Sequence, residues 1–522
     1  MPNETELKLL IDPAHIRALW RHPLLNARTR QKLRAHPLLS VYYDTPERHL
    51  HNNKSALRLR QVGKRWIQTI KTAGTIAAGL HHRPEWEQIT QPDTLRLDDL
   101  RDPDLRKFFA DENLCLALQP VFTTQFSRSR RMLDWPDGDS VEFALDRGEI
   151  RSGEHSLPIV EIELELKAGK PGRLYDIARA LQQDIPIRLS NVSKAERGYR
   201  LADDAALLPK KPLPEILPDK ATAAEACVIV IQDCVAHLQF NAEGVEHTDL
   251  PEFVHQVRVA TRRLRAALKI FSALAAEGRL EPLRQDLRWL GRELNGARNW
   301  DVFATSTLPL IQAAIPDEAG LAWLAAQADE LRQRYRARAR EAVCSARFQR
   351  VLLDLGAWLA DPAWRQDNDP PEALTSEAHG KPAGTQSAQA FGASALARLH
   401  RKIRKRVDTL ATLTPEERHA VRIAAKKLRY ASQFFASLYP ARSVRKYLSA
   451  VERLQDVLGE MNDTATTAIL LNEIQAVADV PLQNHVKGIV LGWAMARAQG
   501  RMRSAEKNWQ DFIDCDAFWR GN

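Results

Sequence analysis

The stretch that decides the fold is IVEIELELK, residues 159–167, in which charged and apolar residues alternate. Glu161, Glu163 and Glu165 fall on one side of an extended chain, and Ile162 and Leu164 fall on the other. Because successive side chains of a β-strand point to opposite faces, this stretch predicts a strand with one acidic and one apolar face. The apolar face is suited to a core and the acidic face to a polar environment.

The same alternation recurs outward from this strand, beginning at the amino terminus with Glu4, Glu6 and Lys8. For any one strand, the charged face is equally well explained as the wet outside of an antiparallel sheet. Recurrence over many segments instead favours a sheet closed into a barrel, with its charged faces turned inward. The other charged or polar positions in the pattern are Arg58, Arg60, Thr69, Lys71, Arg83, Glu85, Glu87, Arg128, Arg130, Glu142 and Asp146.

A tunnel lined by both signs of charge suits a polyanionic substrate bound together with metal ions. Arginine and lysine neutralise phosphate oxygens, whereas clustered carboxylates would repel a polyanion unless they hold divalent cations. Ligands that are all oxygen, without cysteine or paired histidine, favour Mg²⁺ or Mn²⁺ over zinc.

Composition, net charge and cysteine spacing limit the possible partners and the cellular compartment of this chain. The chain has 522 residues and is 44% hydrophobic, which is enough for several domains, and its net charge of +9 favours an anionic partner without identifying it. Nucleic acid, acidic lipid and polyphosphate all remain open at this point. Five cysteines without CxxC spacing predict neither a disulfide framework nor a zinc site. With no apolar leader and no uninterrupted apolar run, we expect a cytoplasmic protein without a membrane partner.

Proline marks the main boundary of the chain. Pro209, Pro212, Pro214 and Pro218 predict a stiff linker over residues 206–219. It separates residues 1–205 from a helical region, residues 220–510, with halves at about 220–366 and 388–510 and a polar linker at 367–387. The predicted fold class is a multidomain α+β protein: an amino-terminal antiparallel β-barrel tunnel with flanking helices, then an all-α duplicated helical bundle.

The two helical halves are copies at a constant offset of 164 residues. His255, Arg258 and Arg262 recur as His419, Arg422 and Lys426, and the offset also carries Phe271 onto Phe435. A constant offset over more than one helix predicts a duplicated unit and a pseudo-twofold bundle. In each copy the basic residues are three or four apart and share one face of a helix. A single face of this kind is most often solvated surface, but its duplication favours a binding surface.

The opening Glu4-Thr-Glu6-Leu-Lys8 resembles the ExExK motif of CYTH domains, the triphosphate tunnel metalloenzymes. The resemblance spans about residues 1–203, because further motifs follow in the order found in the family. These are Tyr42-Tyr-Asp-Thr45, Leu57-Arg-Leu-Arg60, Thr69-Ile-Lys71, Arg83-Pro-Glu-Trp-Glu87, Ala144-Leu-Asp146, Glu161-Ile-Glu-Leu-Glu165 and Ser193-Lys194 with Arg197.

The resemblance implies metal-dependent attack of water on a terminal phosphorus, with inorganic triphosphate as the leading substrate. By the same resemblance, the metal ligands are Glu4, Glu6, Glu163 and Glu165. The implied phosphate-binding residues are Lys8, Arg58, Arg60, Lys71, Arg128, Arg130 and Lys194. The implied catalytic set is Glu4, Glu6, Lys8, Lys71, Glu85, Glu87 and Asp146.

The segment His255-Gln-Val-Arg258 through Arg265, followed by Arg298-Asn299-Trp-Asp301, resembles a CHAD domain, a helical module associated with polyphosphate. Two departures concern its acidic part: Asn299 replaces the usual Asp, and the second copy has Asn462 and Ala465 at the positions of Arg298 and Asp301. The histidines could be metal ligands, but a phosphate-contacting or packing role is favoured. The candidate polyphosphate-binding residues are His255, Arg258, Arg262, Arg263, Arg265, Lys269, His419, Arg422, Lys426, Lys427 and Arg429.

The leading hypothesis is therefore an inorganic triphosphatase, a hydrolase, with a helical domain that binds long-chain polyphosphate. Adenylate cyclase or thiamine triphosphatase activity in the tunnel is the enzymatic alternative. A non-catalytic polyphosphate-binding protein is the alternative from another class. Nucleic acid is disfavoured because the basic helices lack aromatic stacking surfaces and a recognised reader motif.

Overall fold

A computed structural model describes residues 3–27, 34–276, 278–318, 320–361, 383–405, 410–474 and 480–520. The chain forms two compact units. The first consists of Met1–Leu208 and Ala346–Asp361, and the second of Pro209–Ser345 and Pro362–Asn522. The first unit contains the barrel and the second is helical, which confirms the predicted fold class.

Eight antiparallel strands close the barrel. The sheet has the order β10-β1-β9-β8-β7-β2-β3-β4-β6-β5, and an additional pairing between β1 and β6 closes the ring, leaving β5 and β10 outside it. Closure satisfies the backbone hydrogen bonds that open sheet edges would leave unpaired. The strands are β1 (Asn3–Ile11), β2 (Arg34–Asp44), β3 (Ala56–Val62), β4 (Arg65–Lys71), β5 (Thr75–Ala77), β6 (Leu80–Thr90), β7 (Gln119–Asp134), β8 (Ser140–Ser152), β9 (His155–Ala168) and β10 (Ile187–Leu189).

The helices of the first unit cover the outside of the barrel. They are α1 (Ile16–Arg21), α2 (Pro23–Ala27), α3 (His49–Asn52), α4 (Pro103–Phe108), α5 (Glu112–Leu116), α6 (Gly172–Asp184), α7 (Lys194–Ala202) and α13 (Ala346–Ala360). Leu7 and Leu9 of β1 and Ile162 and Leu164 of β9 are 0% exposed. Helix α6 packs against both strands. The apolar faces of the strands therefore form a core outside the barrel.

Helix α13 follows the first helical repeat in the sequence, within residues 220–366. The structure packs it in the first unit against α6 and β10. The helical spacing of its apolar residues had predicted a helix of the 220–366 half. Such spacing identifies a face to be buried but not the partner that buries it.

The second unit is a helical bundle. Its helices are α8 (Ala223–His247), α9 (Pro251–Ile270), α10 (Glu281–Val302), α11 (Leu308–Ala314), α12 (Gly320–Cys344), α14 (Ala388–Arg404), α15 (Pro415–Phe434), α16 (Ala441–Glu473), α17 (Val480–Gly500) and α18 (Met502–Ile513). Both ends of α15 lie 164 positions after those of α9. The two helices are neighbours, and the equivalent rings of Phe271 and Phe435 lie 6.0 Å apart. The copies therefore meet at equivalent residues.

The proline-rich linker packs against the second unit over part of its length. The carbonyl of Lys210 accepts hydrogen bonds from His237 Nε2 (3.0 Å) and Asn241 Nδ2 (3.1 Å). Leu217 is buried, and its N–H donates to Ser437 Oγ at 3.0 Å. Of the predicted polar linker at 367–387, residues 367–382 lie outside the described residues.

Among the described residues, one helix, α8, is long and apolar enough to cross a membrane by length and composition alone. Of its most apolar 18-residue window, 56% is buried inside the protein. The core helix of a folded bundle passes the same test, so this feature is weak support for a membrane span.

Candidate functional site

Strands β1 and β9 bring their charged faces together. In their antiparallel register Glu6 lies opposite Glu165, and Lys8 lies opposite Glu163. Because the leucines between these residues point to the outer core, the charged side chains must point to the barrel interior. The alternation in the sequence therefore produces a charged lining.

A cavity inside the barrel is lined by side chains from most of its strands and from the start of α7. The lining comprises Glu4, Glu6, Lys8, Tyr42, Ala56, Arg58, Arg60, Thr69, Lys71, Arg83, Arg128, Glu163, Ser193, Lys194 and Ala195. Most of the sequence-predicted site residues of the barrel are thus brought together in one place.

Carboxylates and cations form a dense network on one side of this cavity. Arg128 donates two hydrogen bonds to Asp146, at 2.8 and 2.7 Å. Lys194 Nζ lies 2.6 Å from Asp146 and 2.9 Å from Glu163, and Arg128 also contacts Glu163. Burial alone would raise the pKa of Asp146, but Lys194 and Arg128 outweigh it and lower the pKa. Asp146 is therefore ionised, and Lys194 and Arg128 stabilise its charge.

Positive charge is in excess around Arg60. Burial, together with repulsion from Arg58 and Arg128, lowers the pKa of Arg60 to about 10. Arg58 donates to Tyr42 Oη at 3.4 Å. Burial alone would raise the pKa of Tyr42, but Arg58 and Arg60 lower it. An anion bound here would relieve this repulsion.

Negative charge is in excess where Glu4 and Glu165 lie. Burial raises the pKa of Glu4, and nearby Glu6 adds to the shift. The contact of Glu4 with Lys71 does not offset this. Burial also raises the pKa of Glu165, with Glu4 contributing, although Lys167 is only 2.5 Å away. These carboxylates lack the positive charge that would fully stabilise their ionised form.

The predicted metal ligands fit a divalent cation at this place. Glu4 and Glu6 on β1 and Glu163 and Glu165 on the neighbouring β9 offer only carboxylate oxygens, which hard cations such as Mg²⁺ and Mn²⁺ prefer. Burial alone would raise the pKa values of Glu6 and Glu163, but Lys8, joined by Lys194 at Glu163, outweighs it and lowers them. A cation there would therefore supply positive charge chiefly to Glu4 and Glu165.

A second group of carboxylates fits a metal less well. Asp146, Glu161 and Glu163 have oxygen atoms within 4.8 Å of one another. Lys194 contacts all three of these carboxylates and already neutralises part of their charge. A cation would therefore be stabilised more by Glu4 and Glu165, whose ionised forms are disfavoured, than by these three carboxylates.

Three predicted residues lie nearer the edge of this network. Glu85 contacts Lys71 at 3.2 Å. Glu87 is exposed and accepts a hydrogen bond from Thr69 Oγ1 at 3.3 Å. Arg130 is 58% exposed. Glu87 and Arg130 thus face more solvent than the residues of the cavity lining.

The structure adds residues that were not among the predicted site residues. Arg83 lines the cavity and lies 3.4 Å from Glu6 and 3.8 Å from Glu4. Glu161 is buried and contacts both Lys194 and Arg197. The alternation pointed to Arg83, which precedes Glu85 by two residues and shares its face of β6.

In the helical unit, α9 and α15 bring basic side chains of both copies together. We call Arg258, Arg262, Arg298, Arg422 and Lys426 the first basic cluster. Burial and repulsion from Arg262, Arg298 and Arg422 lower the pKa of Arg258 to about 9. Burial and repulsion, foremost from Arg422 and Arg262, lower the pKa of Lys426 to about 7. Like-charge repulsion therefore acts within this cluster.

Further basic residues form a second basic cluster, which we define as Arg265, Lys269, Arg284, Arg288, Lys402 and Lys427. Burial and repulsion from Lys402 and Arg265 lower the pKa of Lys427. Burial and repulsion from Arg288 and Arg284 lower the pKa of Arg265. Arg429, also predicted, has its guanidinium 3.8 Å from Glu452 and is partly compensated.

Arg263 does not belong to the basic face, which corrects its prediction as a polyphosphate-binding residue. Its side chain is 2% exposed and contacts Glu215, with Asp233 at 3.5 Å and Gln433 at 3.3 Å. Neighbouring helical residues are about 100° apart, so Arg262 and Arg263 cannot share a face. Glu215, Asp233 and Cys234 could also hold a metal ion by proximity, but Arg263 already supplies positive charge there.

The two predicted histidines differ in their surroundings. Burial and repulsion from Arg298 lower the pKa of His255 to about 4, so its ring is neutral at neutral pH. His419 is exposed. Neither histidine belongs to a metal-ligating group within the described ranges.

Asp301, in the acidic part of the first copy, is buried and holds Arg336 at 2.8 Å and Arg332 at 4.0 Å. It therefore orients arginines of α12. The second copy has Ala465 at the equivalent position. The side chain of Asn462 lies outside the described residues.

Two family models match this chain. The CYTH domain model matches residues 2–199, and the CHAD domain model matches residues 229–472. A relative, the inorganic triphosphatase of Haemophilus influenzae, is 37% identical over 166 residues, which are 31% of this chain and 45% of the relative. The chain thus spans about half the length of that relative.

Solved structures resemble each part of the chain. The CHAD domain from the plant Ricinus communis is 32% identical, and the match covers 60% of this chain and 99% of that one with a TM-score of 0.50. A protein from Hippeastrum, described as an adenylyl cyclase with a dominant triphosphatase activity, is 20% identical. That match covers 38% of this chain and 95% of the other with a TM-score of 0.30.

Proposed function

This chain belongs to the CYTH and CHAD domain families, and from that premise we propose that it hydrolyses inorganic triphosphate in its barrel and binds long-chain polyphosphate through its helical unit. The reaction breaks one P–O–P bond and adds water to yield diphosphate and phosphate. A cytoplasmic location is part of this proposal. The relative named inorganic triphosphatase supports the choice of substrate.

The observation that carries the proposal is the separation of charge inside the barrel. Repulsion by arginines adds to burial in destabilising the charged form of Arg60, while repulsion by carboxylates adds to burial in destabilising the charged forms of Glu4 and Glu165. A phosphate chain bound with a divalent cation supplies each region with the charge that it lacks. A neutral or cationic substrate would leave the repulsion around Arg60 in place.

The side chains of the barrel would bind and orient the phosphate chain. Lys8, Lys71 and Lys194 each contact carboxylates in the structure, and phosphate oxygens can take over part of these contacts. Arg58 and Arg60 add donors in the planar arrangement that suits phosphate oxygens. Mg²⁺ or Mn²⁺ held by Glu4, Glu6, Glu163 and Glu165 would supply a Lewis acid that neutralises phosphate charge and activates water. Burial of these groups strengthens their electrostatic effect on the reacting phosphoryl group.

Polyphosphate binding by the helical unit rests on its two basic clusters. Burial and repulsion by like charges together lower the pKa of Arg258 to about 9, and a bound polyanion would stabilise these like charges. The contribution of both copies to the first basic cluster favours one continuous binding surface.

A substrate panel tests the tunnel assignment. The purified full chain is incubated with tripolyphosphate, ATP, thiamine triphosphate or long-chain polyphosphate, each with Mg²⁺ or Mn²⁺, and the products are identified. We expect the highest kcat/KM for tripolyphosphate, because ten of the fifteen residues that line the cavity are charged, which suits bare phosphate groups better than a base. Excess EDTA should abolish turnover.

Other outcomes would support other assignments. Cyclic nucleotide formation, or a kcat/KM for ATP at or above that for tripolyphosphate, would favour the cyclase. Turnover that survives EDTA would contradict the metal requirement. Polyphosphate binding without any hydrolysis would indicate the non-catalytic protein.

A further inference from the structure

Helix α13 is the part of the first unit that comes from farthest along the chain. It begins at Ala346, yet it packs on α6 and on the three-residue strand β10. Strand β10 pairs with β1 at one side of the sheet, and β1 carries Glu4, Glu6 and Lys8. The helix therefore lies one strand away from residues of the cavity lining.

A first chain of contacts runs from α13 to the carbonyl of Lys8. Because β10 is an edge strand, its outward N–H groups have no partner strand. Gln349 Oε1, on a side chain that is 6% exposed, accepts the N–H of Leu189 at 3.0 Å. The next residue, Ser190, donates its N–H to the carbonyl of Lys8 at 3.0 Å.

A second chain of contacts runs from α13 to the N–H of Lys8. Gly356 lets the ring of Tyr175 lie against the helix, since a Cβ there would be 2.2 Å from Tyr175 Cε1. The buried Tyr175 hydroxyl donates to the carbonyl of Ala78 at 3.2 Å. The adjacent Gly79 accepts the N–H of Lys8 at 3.0 Å.

The two chains of contacts meet at a strained turn. Ala78 and Gly79 both have positive φ, at 50° and 77°, and a Cβ on Gly79 would be 2.3 Å from Leu189 Cδ2. A non-glycine residue at positive φ is unfavourable and persists only where its surroundings hold it. The turn is thus held between Tyr175 and β10, both of which α13 contacts.

We propose that α13 is a positioning element of the tunnel, and that Gln349 and the Gly356–Tyr175 contact fix the backbone on both sides of Lys8. This inference rests on the proposed function, because it assigns the helix an effect on turnover. Lys8 Nζ lies 3.1 Å from Glu6 and also contacts Glu163, so its backbone position sets the geometry between two proposed metal ligands. Gln349 is a positioning residue that acts through Leu189 and Ser190.

Full-length variants test this inference. Gln349→Leu keeps the size of the side chain but removes the acceptor, and Gln349→Glu keeps an acceptor oxygen. Gly356→Leu displaces the Tyr175 ring. Gly492→Ala in α17 is the matched glycine control, because a Cβ there meets nothing within 4 Å. Tripolyphosphate turnover, melting temperature and hydrogen exchange at the amides of Lys8, Leu189 and Ser190 are measured for each variant.

We expect Gln349→Leu to speed exchange at Leu189 and Ser190 and to lower kcat by about tenfold or more, since small displacements in an active site are costly. Gln349→Glu should restore kcat to near the wild-type value. Gly356→Leu should speed exchange at Lys8 and lower kcat, whereas Gly492→Ala should leave both unchanged.

A purely structural role predicts a lower melting temperature with unchanged kcat in the folded variants, and that result would overturn the inference. If Gly356→Leu does not fold, the comparison of Gln349→Leu with Gln349→Glu still tests the inference. If the wild-type chain hydrolyses no triphosphate, the proposed function fails. Unchanged exchange at Leu189 and Ser190 in Gln349→Leu would then refute the inference separately.

Discussion

Glu165 is the carboxylate through which the metal proposal is tested at the scale of one residue. Glu165→Gln keeps the size of the side chain and removes a charge that a cation would use. We expect kcat for tripolyphosphate to fall on the order of 100-fold, with a higher Mg²⁺ concentration needed for half-maximal rate. Steady-state assays over a Mg²⁺ series measure both quantities.

Glu154→Gln, in the turn before β9, provides the control for charge removal. It should leave the rate and the Mg²⁺ requirement unchanged. A fully active Glu165→Gln enzyme with an unaltered Mg²⁺ requirement would show that this carboxylate holds no catalytic metal.

Lys426 gives a prediction for pH dependence. Burial and its arginine neighbours lower its pKa to about 7, and a bound polyanion would raise the pKa again. Binding then takes up a proton, so affinity for polyphosphate is greatest at and below about pH 7 and falls as pH rises above it. Titrations at pH 6 and pH 8 should show weaker binding at pH 8.

Lys426→Arg is the matched variant, because even Arg258, whose pKa is lowered to about 9 in the same cluster, keeps its proton at pH 8. The variant should retain more of its affinity at pH 8 than the wild-type chain does. An identical pH dependence in the two proteins would assign the effect to another group.

At the scale of the element, the like charges on the neighbouring helices α9 and α15 lower the stability of the helical unit and favour binding of a polyanion. Arg258→Gln with Arg262→Gln removes like charges from the first basic cluster. Without ligand, we expect the free energy of unfolding of the helical unit to rise. A rise of about 1 kcal/mol corresponds to about 2–4 °C in melting temperature. Affinity for polyphosphate should fall, and its salt dependence should become less steep by analogy with nucleic acids.

Thermal unfolding and polyphosphate titration of the full chain measure this pair of effects. Arg347→Gln on α13 removes one charge outside both clusters and serves as a control. Unchanged affinity in the double variant would show that this face is only solvated surface. Tighter binding of duplex DNA than of polyphosphate by the wild-type chain would reject the polyphosphate assignment.

At the scale of the whole molecule, the two compact units do not follow a single cut in the sequence. A fragment ending at Leu208 contains the barrel strands but lacks α13, so the apolar surface of α6 loses its cover. We expect this fragment to unfold at a lower temperature than the barrel does in the full chain. Helix α13 carries buried leucines of its own, such as Leu352 and Leu355. Each such buried side chain contributes about 1.5–3 kcal/mol to the free energy of unfolding.

Adding a peptide of residues 346–361 to this fragment provides the comparison. The peptide should raise the melting temperature of the fragment, whereas the same peptide with Gly356→Leu should not. Equal melting temperatures for the fragment with and without the peptide would show that the barrel does not need α13.

The sequence by itself determined the barrel lining and the duplication. Alternation along β1 and β9 requires their charged and apolar residues to lie on opposite faces, since the repeat of a strand is two residues. The constant offset of 164 residues likewise predicted that α9 and α15 are equivalent. These features are local periodicities, and backbone geometry alone converts them into faces.

Only the tertiary structure decided which faces meet. It placed Arg263 in a buried ion pair with Glu215, which lies 48 residues away, and it packed α13 on a sheet formed by the first part of the chain. It also distinguished carboxylates whose pKa is lowered by lysine and arginine, such as Asp146, from those whose pKa stays raised by burial, such as Glu165. Charge compensation depends on distances and burial among residues remote in sequence, and a periodic pattern carries no information about these distances.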